Sequence, residues 1–155
     1  MLVTGLQVLF SELVRVEIEL WTAVDTRLRA DIDIPLSSYE PMQVISRRGA
    51  CRVQDIADEM VITVGGTSKL VDRLEVAGYC RRRSNPTDRR SSLVELTPVG
   101  KQLLVRASAV VDDELEMRLG AVLSVRIQQQ FGLTLAKLRS AGQKLHHAAP
   151  TEAAV

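Results

Sequence analysis

Aromatic residues are scarce. Phe10, Trp21, Tyr39, Tyr79 and Phe131 make up 3% of the chain, so aliphatic side chains must fill most of any core. Cysteine is nearly absent. Cys51 and Cys80 cannot make a disulfide framework and suit a reducing cytosol, with a single bridge between them left open. The two histidines, His146 and His147, are adjacent and cannot build a metal site alone. No apolar run reaches the ~20 residues of a membrane span. The stretch MLVTGLQVLFSELV has no basic start and no small-residue cleavage site, carries Glu12, and reads as helix rather than signal peptide. Net charge is scarce too: 20 Lys/Arg against 19 Asp/Glu leave +1, a total that speaks against a nucleic-acid partner. No nucleophile–base set, metal cluster or glycine-rich phosphate loop is present, which argues against an enzyme and predicts no cofactor.

What is there is ordinary globular material: 155 residues, 46% apolar and 25% charged. That length suits one domain and buries about two-thirds of the unfolded surface. Apolar residues recur at helical spacing from Leu6 through Phe10, Leu13, Trp21 and Val24 to Leu28. After Pro35, Ser37 or Ser38 is the expected cap of a second helix carrying Met42, Val44 and Ile45, closed by Arg47, Arg48 and Gly49. A short helix with Val53, Ile56, Ala57 and Met60 follows. About three residues later another begins, with Thr63 as N-cap, Leu70, Val71 and Leu74 inside, and Gly78 at its end. Two short helices joined this tightly form a helix-turn-helix pattern.

The segments YCRRRS and SSLVELT read as strands around a turn, NPTDRR, so a hairpin with a basic tip is expected. Thr97-Pro98 then starts a long helix, as N-cap followed by Pro at the first helical position. Gly120 is the expected break. A last helix carries Val122, Ile127, Phe131, Leu135, Leu138 and Leu145, and the residues from His146 onward read as a frayed tail. The fold class is mainly α with a small β-hairpin wing. The terminal helices carry apolar faces that a second copy of the chain would bury better than one globule.

The +1 total hides a dipole. Residues 81–90 hold five arginines against Asp88, whereas residues 12–40 hold seven acids and three arginines. A basic hairpin behind a helix-turn-helix has a specific use. The second helix enters the major groove, and arginines on the hairpin reach the flanking minor groove. The bland alternative is a solvated hairpin whose arginines pair with nearby acids.

The run from Thr63 to Gly100 carries three motifs: Leu70-Val71-Asp72-Arg73-Leu74, then Asp88-Arg89-Arg90, then Leu96-Thr97-Pro98-Val99-Gly100. In these it resembles the MarR family (multiple antibiotic resistance regulators). The resemblance implies a winged helix-turn-helix lobe at 35–97. It also implies a helical dimerisation region at 1–34 and 98–147 within a single MarR-like domain. The expected partners are a second copy of the chain, a pseudo-palindromic double-stranded DNA operator, and a small anionic or phenolic effector. The expected role is a cytoplasmic transcriptional regulator, most simply a repressor, with no membrane partner. The family's base-facing positions fall on Val64, Gly65, Gly66, Thr67, Ser68 and Lys69, and the free N–H groups at the helix start, capped by Thr63, are expected to meet a phosphate. Gly65 and Gly66 imply either close backbone approach to DNA or a tolerated flexible turn. Arg89 or Arg90 is expected in the minor groove, and Arg82 among the phosphate contacts. Asp88 is expected to pair with Arg73 or a wing arginine and fix the hairpin. Arg47 and Arg48 are expected to serve the helix dipole, Cys51 and Cys80 to be buried, and Trp21, Tyr39 and Met42 to be core or to line an effector pocket. A protein-interaction module using the same lobe is the competing function.

Overall fold

The computed structural model describes residues 5–148, with side chains up to Leu145. They form two compact units that divide after Glu114. The first unit holds α1 (Gly5–Ile32), α2 (Leu36–Arg48), α3 (Val53–Met60), α4 (Val64–Val76), β1 (Cys80–Ser84), β2 (Ser92–Leu96) and α5 (Pro98–Leu115) up to its last residue. The second holds a π-helical turn, Glu116–Gly120, and α6 (Val125–Ala148). The mainly helical class with one antiparallel hairpin is as the sequence reads.

The core of the first unit is aliphatic. Leu28, Met42, Ile45, Ile56, Leu74 and Val94 are all at most 2% exposed. Only the C-terminal part of α1 takes part, through Val24 and Leu28. Upstream, Leu6, Leu9, Phe10, Ile18 and Trp21 stay exposed, Phe10 by 68%. Arg27 ties this end of α1 to α5, with Nη1 3.6 Å from the buried carboxylate of Glu114.

The start of α2 differs from expectation. Neither Ser37 nor Ser38 caps it. The helix begins at Leu36, behind an extended Pro35. The Leu36 N–H donates instead to Asp25 Oδ1 on α1, at 2.7 Å. A side chain eleven residues away thus satisfies a helix-start donor that local serines leave unpaired. Burial works against ionising Asp25, but the hydrogen bonds from Arg29 and Leu36 outweigh it and hold its pKa below the ordinary value.

The other helix ends follow the sequence. Gly49 and Gly78 take φ of 73° and 78° just past α2 and α4, where a side chain would be strained. Val61 takes the same left-handed conformation, at φ 57°, just past α3. A β-branched residue there costs about 1–2 kcal/mol. Its side chain is exposed, so little packing is at stake. Val61→Asn is expected to raise stability by about 1 kcal/mol in urea titration; an unchanged midpoint would show that Val61 is not strained.

Two readings at the C-terminal end change. Val122 precedes α6, because a turn follows Gly120 and the helix resumes after Ser124, whose carbonyl accepts Gln128 N–H at 2.9 Å. The helix then runs through the backbone of His146–Ala148, where the composition predicts a frayed tail. Residues from 149 onward, and the side chains of His146 and His147, lie outside the described residues.

Candidate nucleic-acid interface

The helix-turn-helix is built from α3, residues 61–63 and α4. Each of its joints has a local cause. Asp55 closes the start of α3, its Oδ2 accepting Arg52 N–H at 2.9 Å while its carboxylate also takes the Arg52 guanidinium. Glu59 of α3 accepts from both Arg47 and Arg48 at the end of α2. Those two arginines therefore orient the helix pair, beyond the dipole role expected of them. Thr63 caps α4 as predicted, its Oγ1 accepting Gly66 N–H at 3.1 Å.

Among the base-facing candidates, Val64, Gly65, Gly66 and Lys69 are exposed and Ser68 is half-buried. Thr67 is not on that surface. It is 0% exposed, and its hydroxyl donates to Thr63 O at 2.9 Å. The inner face of α4 runs Thr67, Val71, Leu74, stepping by four and three. The sequence carries that spacing; the hydroxyl makes the residue resemble a surface contact. A Cβ on Gly65 would meet nothing within 4 Å, whereas one on Gly66 would sit 3.1 Å from Thr63 Oγ1. Gly66 fits the cap, and Gly65 leaves the helix backbone open to a ligand.

The wing pairs Cys80 with Leu96 and Ser84 with Ser92. On its far side β2 takes a third, one-residue partner. Cys51 N–H donates to Val94 O at 3.0 Å, and Val94 N–H returns to Cys51 O at 2.7 Å. At the tip, the buried Asn85 accepts from Thr87 N and Oγ1 and donates to Ser91 Oγ. Asp88 does fix the hairpin, but through the backbone. Its Oδ1 accepts Arg90 N–H at 3.0 Å, and among the described residues it makes no ion pair with Arg73 or a wing arginine. Arg73 is exposed on α4.

The five wing arginines divide into two groups. Arg81 and Arg83 both reach Glu95 across the hairpin, at 2.7 and 3.2 Å. Arg82 points the other way, to Asp72 and Glu75 of α4. The Arg81 hydrogen bond, aided by Arg83, holds Glu95 below the ordinary carboxylate pKa. The bland reading therefore holds for the strand arginines. Their charge is largely spent within the lobe, and Arg82 is committed to α4. At the tip, Arg89 and Arg90 are exposed and have no ion pair among the described residues. They line a concavity of about 880 Å³ together with Arg82, Arg83, Asn85, Ser91 and Ser92. Of the ten-residue surplus read from the sequence, the outward-facing part is this tip.

Cys51 and Cys80 are free and buried. Burial pushes each thiol up to about 11, so the thiolate is rare near neutral pH. They lie on opposite sides of β2, two interstrand spacings of ~4.8 Å apart, which exceeds the ~7 Å Cα reach of a disulfide. The three pocket candidates do not come together. Met42 is 0% exposed and Tyr39 is buried against Ser108 and Gln43. Trp21 is 43% exposed in a shallow surface depression formed with Glu17, Ile18 and Thr22 of its own helix. Among the described residues no group of three or more His, Cys, Asp or Glu is placed to hold a metal. No described helix is long and apolar enough to cross a membrane.

Residues 34–92 match the MarR family model. The uncharacterized HTH-type transcriptional regulator YfiV of Bacillus subtilis (strain 168) is 32% identical over 72 residues, 46% of this chain and 45% of that protein. The chain spans about half the length of the curated relatives it matches. Sco3205, a MarR family transcriptional regulator from Streptomyces coelicolor solved in complex with DNA, has the same fold. Its TM-score is 0.81 at 23% identity, over 99% of this chain and 94% of that one. CouR from Rhodococcus jostii RHA1, solved bound to p-coumaroyl-CoA, gives 0.74 at 26% identity over 81% and 87%.

Proposed function

We propose that this chain, whose residues 34–92 match the MarR family model, is a DNA-binding transcriptional regulator of that family that grips a pseudo-palindromic operator as a homodimer. The observation that carries this reading is the outward surface of the lobe. An α4 start that exposes Val64, Gly65 and Lys69, with Arg73 further along the helix, belongs to the same compact unit as a hairpin tip that offers Arg89 and Arg90. The start of α4 enters the major groove. Lys69 and Ser68 bond base edges or phosphates, Val64 packs on thymine methyl groups, and Gly65 lets the backbone close in. Thr63 leaves α4 N–H groups for a phosphate. Arg89 or Arg90 enters the minor groove. Thr67 shapes the helix from inside.

The homodimer is supported by two uncovered apolar faces, Leu6 to Trp21 on α1 and Ile127 to Leu138 on α6. Faces of this length rarely stay open to water. We assign Trp21 to the α1 face rather than to a pocket with Tyr39 and Met42. The regulator acts in the cytoplasm as a repressor, relieved by a small anionic or phenolic effector. CouR, whose bound ligand is an aromatic acyl thioester, supports that effector class.

The test is footprinting of the purified protein on the intergenic DNA beside its own gene, with the mass in solution measured in parallel. A protected palindrome of two half-sites about one helical turn apart and a dimeric mass are expected. A monomer without protection at low salt would favour the protein-interaction reading of the lobe.

A further inference from the structure

We propose that Arg82 is a positioning residue that locks the wing to the recognition helix, so that α4 and the hairpin tip meet DNA at one fixed spacing. The proposal rests on the DNA-binding reading above. It assigns to Arg82 a role other than the phosphate contact expected from its place in an arginine run.

Four observations carry it. First, Arg82 makes three bonds to α4. Its backbone N–H donates to Glu75 Oε1 at 3.0 Å, Nη1 donates to Glu75 Oε2 at 2.6 Å, and Nη2 donates to Asp72 Oδ1 at 2.7 Å. Second, Asp72 and Glu75 are three residues apart, on one face of α4, at the spacing a planar guanidinium fork can bridge. A lysine has one nitrogen and cannot hold both carboxylates in that geometry. Third, the sheet dictates the direction. Val94 spends its N–H and C=O on Cys51. Its cross-strand partner Arg82 therefore occupies a non-hydrogen-bonded pair and turns its own N–H away from β2, toward α4. Fourth, the Arg82 side chain is 25% exposed, against 68% for Arg81 and 45% for Arg83. A far weaker link joins the same two elements, the hydrogen bond from Cys80 Sγ to Val71 O at 3.7 Å.

The lock sits at the C-terminal half of α4, whereas the proposed base contacts sit at its start. It does not touch DNA; it fixes the angle between two elements that do. A wing that swings freely must be ordered on binding, and that ordering weakens the complex.

Two sets of variants separate this from a DNA contact by sign. Asp72→Asn with Glu75→Gln removes two negative charges beside a polyanion, which by itself strengthens binding. The positioning role predicts the reverse, a loss of about tenfold in operator affinity, with the slope of log K against log salt unchanged. Arg82→Lys keeps the charge and loses the fork, and is expected to lose a similar factor with the same slope. The proposal is overturned if the double variant binds as tightly as the wild type or more so. It is equally overturned if Arg82→Lys binds normally, or if Arg82→Gln lowers the salt slope by ~0.9, the signature of a phosphate left unneutralised. Hydrogen exchange in the DNA-free protein tests the lock separately. The Arg82 amide is expected to be protected in the wild type and to exchange roughly tenfold faster or more in Glu75→Ala, with the α3 amides unchanged as the check on folding. Equal exchange in the two proteins sinks the lock. A wild type that fails to bind any operator while the exchange difference persists sinks the DNA reading and leaves the lock standing.

Discussion

Replacing Gly100 with alanine is expected to lower stability by about 3 kcal/mol or more, near the upper end of what overpacking costs. A Cβ at Gly100 would stand 1.9 Å from Tyr79 O and 2.8 Å from Tyr79 C. Both obstacles are backbone, so no rotamer change relieves them. Nor can Tyr79 move alone. Its carbonyl accepts Thr97 N–H at 3.1 Å, while the Thr97 hydroxyl donates to Gly78 O at 2.6 Å and accepts Gly100 N–H at 3.0 Å. The start of α5 is thus sewn to the entrance of β1. The clash must push apart the helix start, the strand start, or both. For a chain of this size the loss corresponds to a fall of roughly 6–12 °C in Tm, readable by calorimetry and urea titration. A loss under about 0.5 kcal/mol would mean that the two backbones do not approach this closely. The same packing explains the Leu-Thr-x-x-Gly run: Thr97 caps the helix and Gly100 lets it dock.

Truncating Arg89 and Arg90 together is expected to abolish measurable operator binding at physiological salt. Each arginine that enters a groove is worth roughly 1–3 kcal/mol, and a symmetric dimer loses the contribution at both half-sites. The salt dependence should flatten by about 0.9 for each phosphate that is no longer neutralised. Arg81→Ala with Arg83→Ala is the matched control. It removes the same two charges from the same hairpin, but from side chains already held by Glu95, so only a few-fold loss is expected. If titration on the operator shows equal losses for the tip pair and the Arg81 and Arg83 pair, the lobe uses its bulk charge rather than its tip.

Local chemistry explains which parts of this are legible in the sequence. Thr63, Gly49, Gly78, Thr97-Pro98 and the Asn-Pro-Thr-Asp turn act on backbone within a few residues, and their elements lie where the sequence places them. What stays hidden depends on partners far along the chain. Asp25 caps α2 from another helix, where the sequence offers Ser37 and Ser38. Glu95, Asp72 and Glu75 absorb most of the strand charge, and no count over ten residues can see them. Thr67 has the periodicity of a core residue and the side chain of a surface one, and the periodicity decides. Trp21 shares a helix with core residues yet faces away, because only the C-terminal part of α1 packs on its own unit.

The bond between Glu75 and the Arg82 N–H has a consequence for how the protein behaves in a crowded solution. β1 is the edge of the sheet, and a free edge is a template on which another chain can add a strand. Glu75 occupies an outward donor at the middle of that edge. Arg82 holds that carboxylate and Asp72 in place through its guanidinium, so an added strand would have to displace both. An arginine that reads as a DNA feature thus serves as a guard against aggregation through the wing. It keeps an exposed hairpin free to meet its ligand.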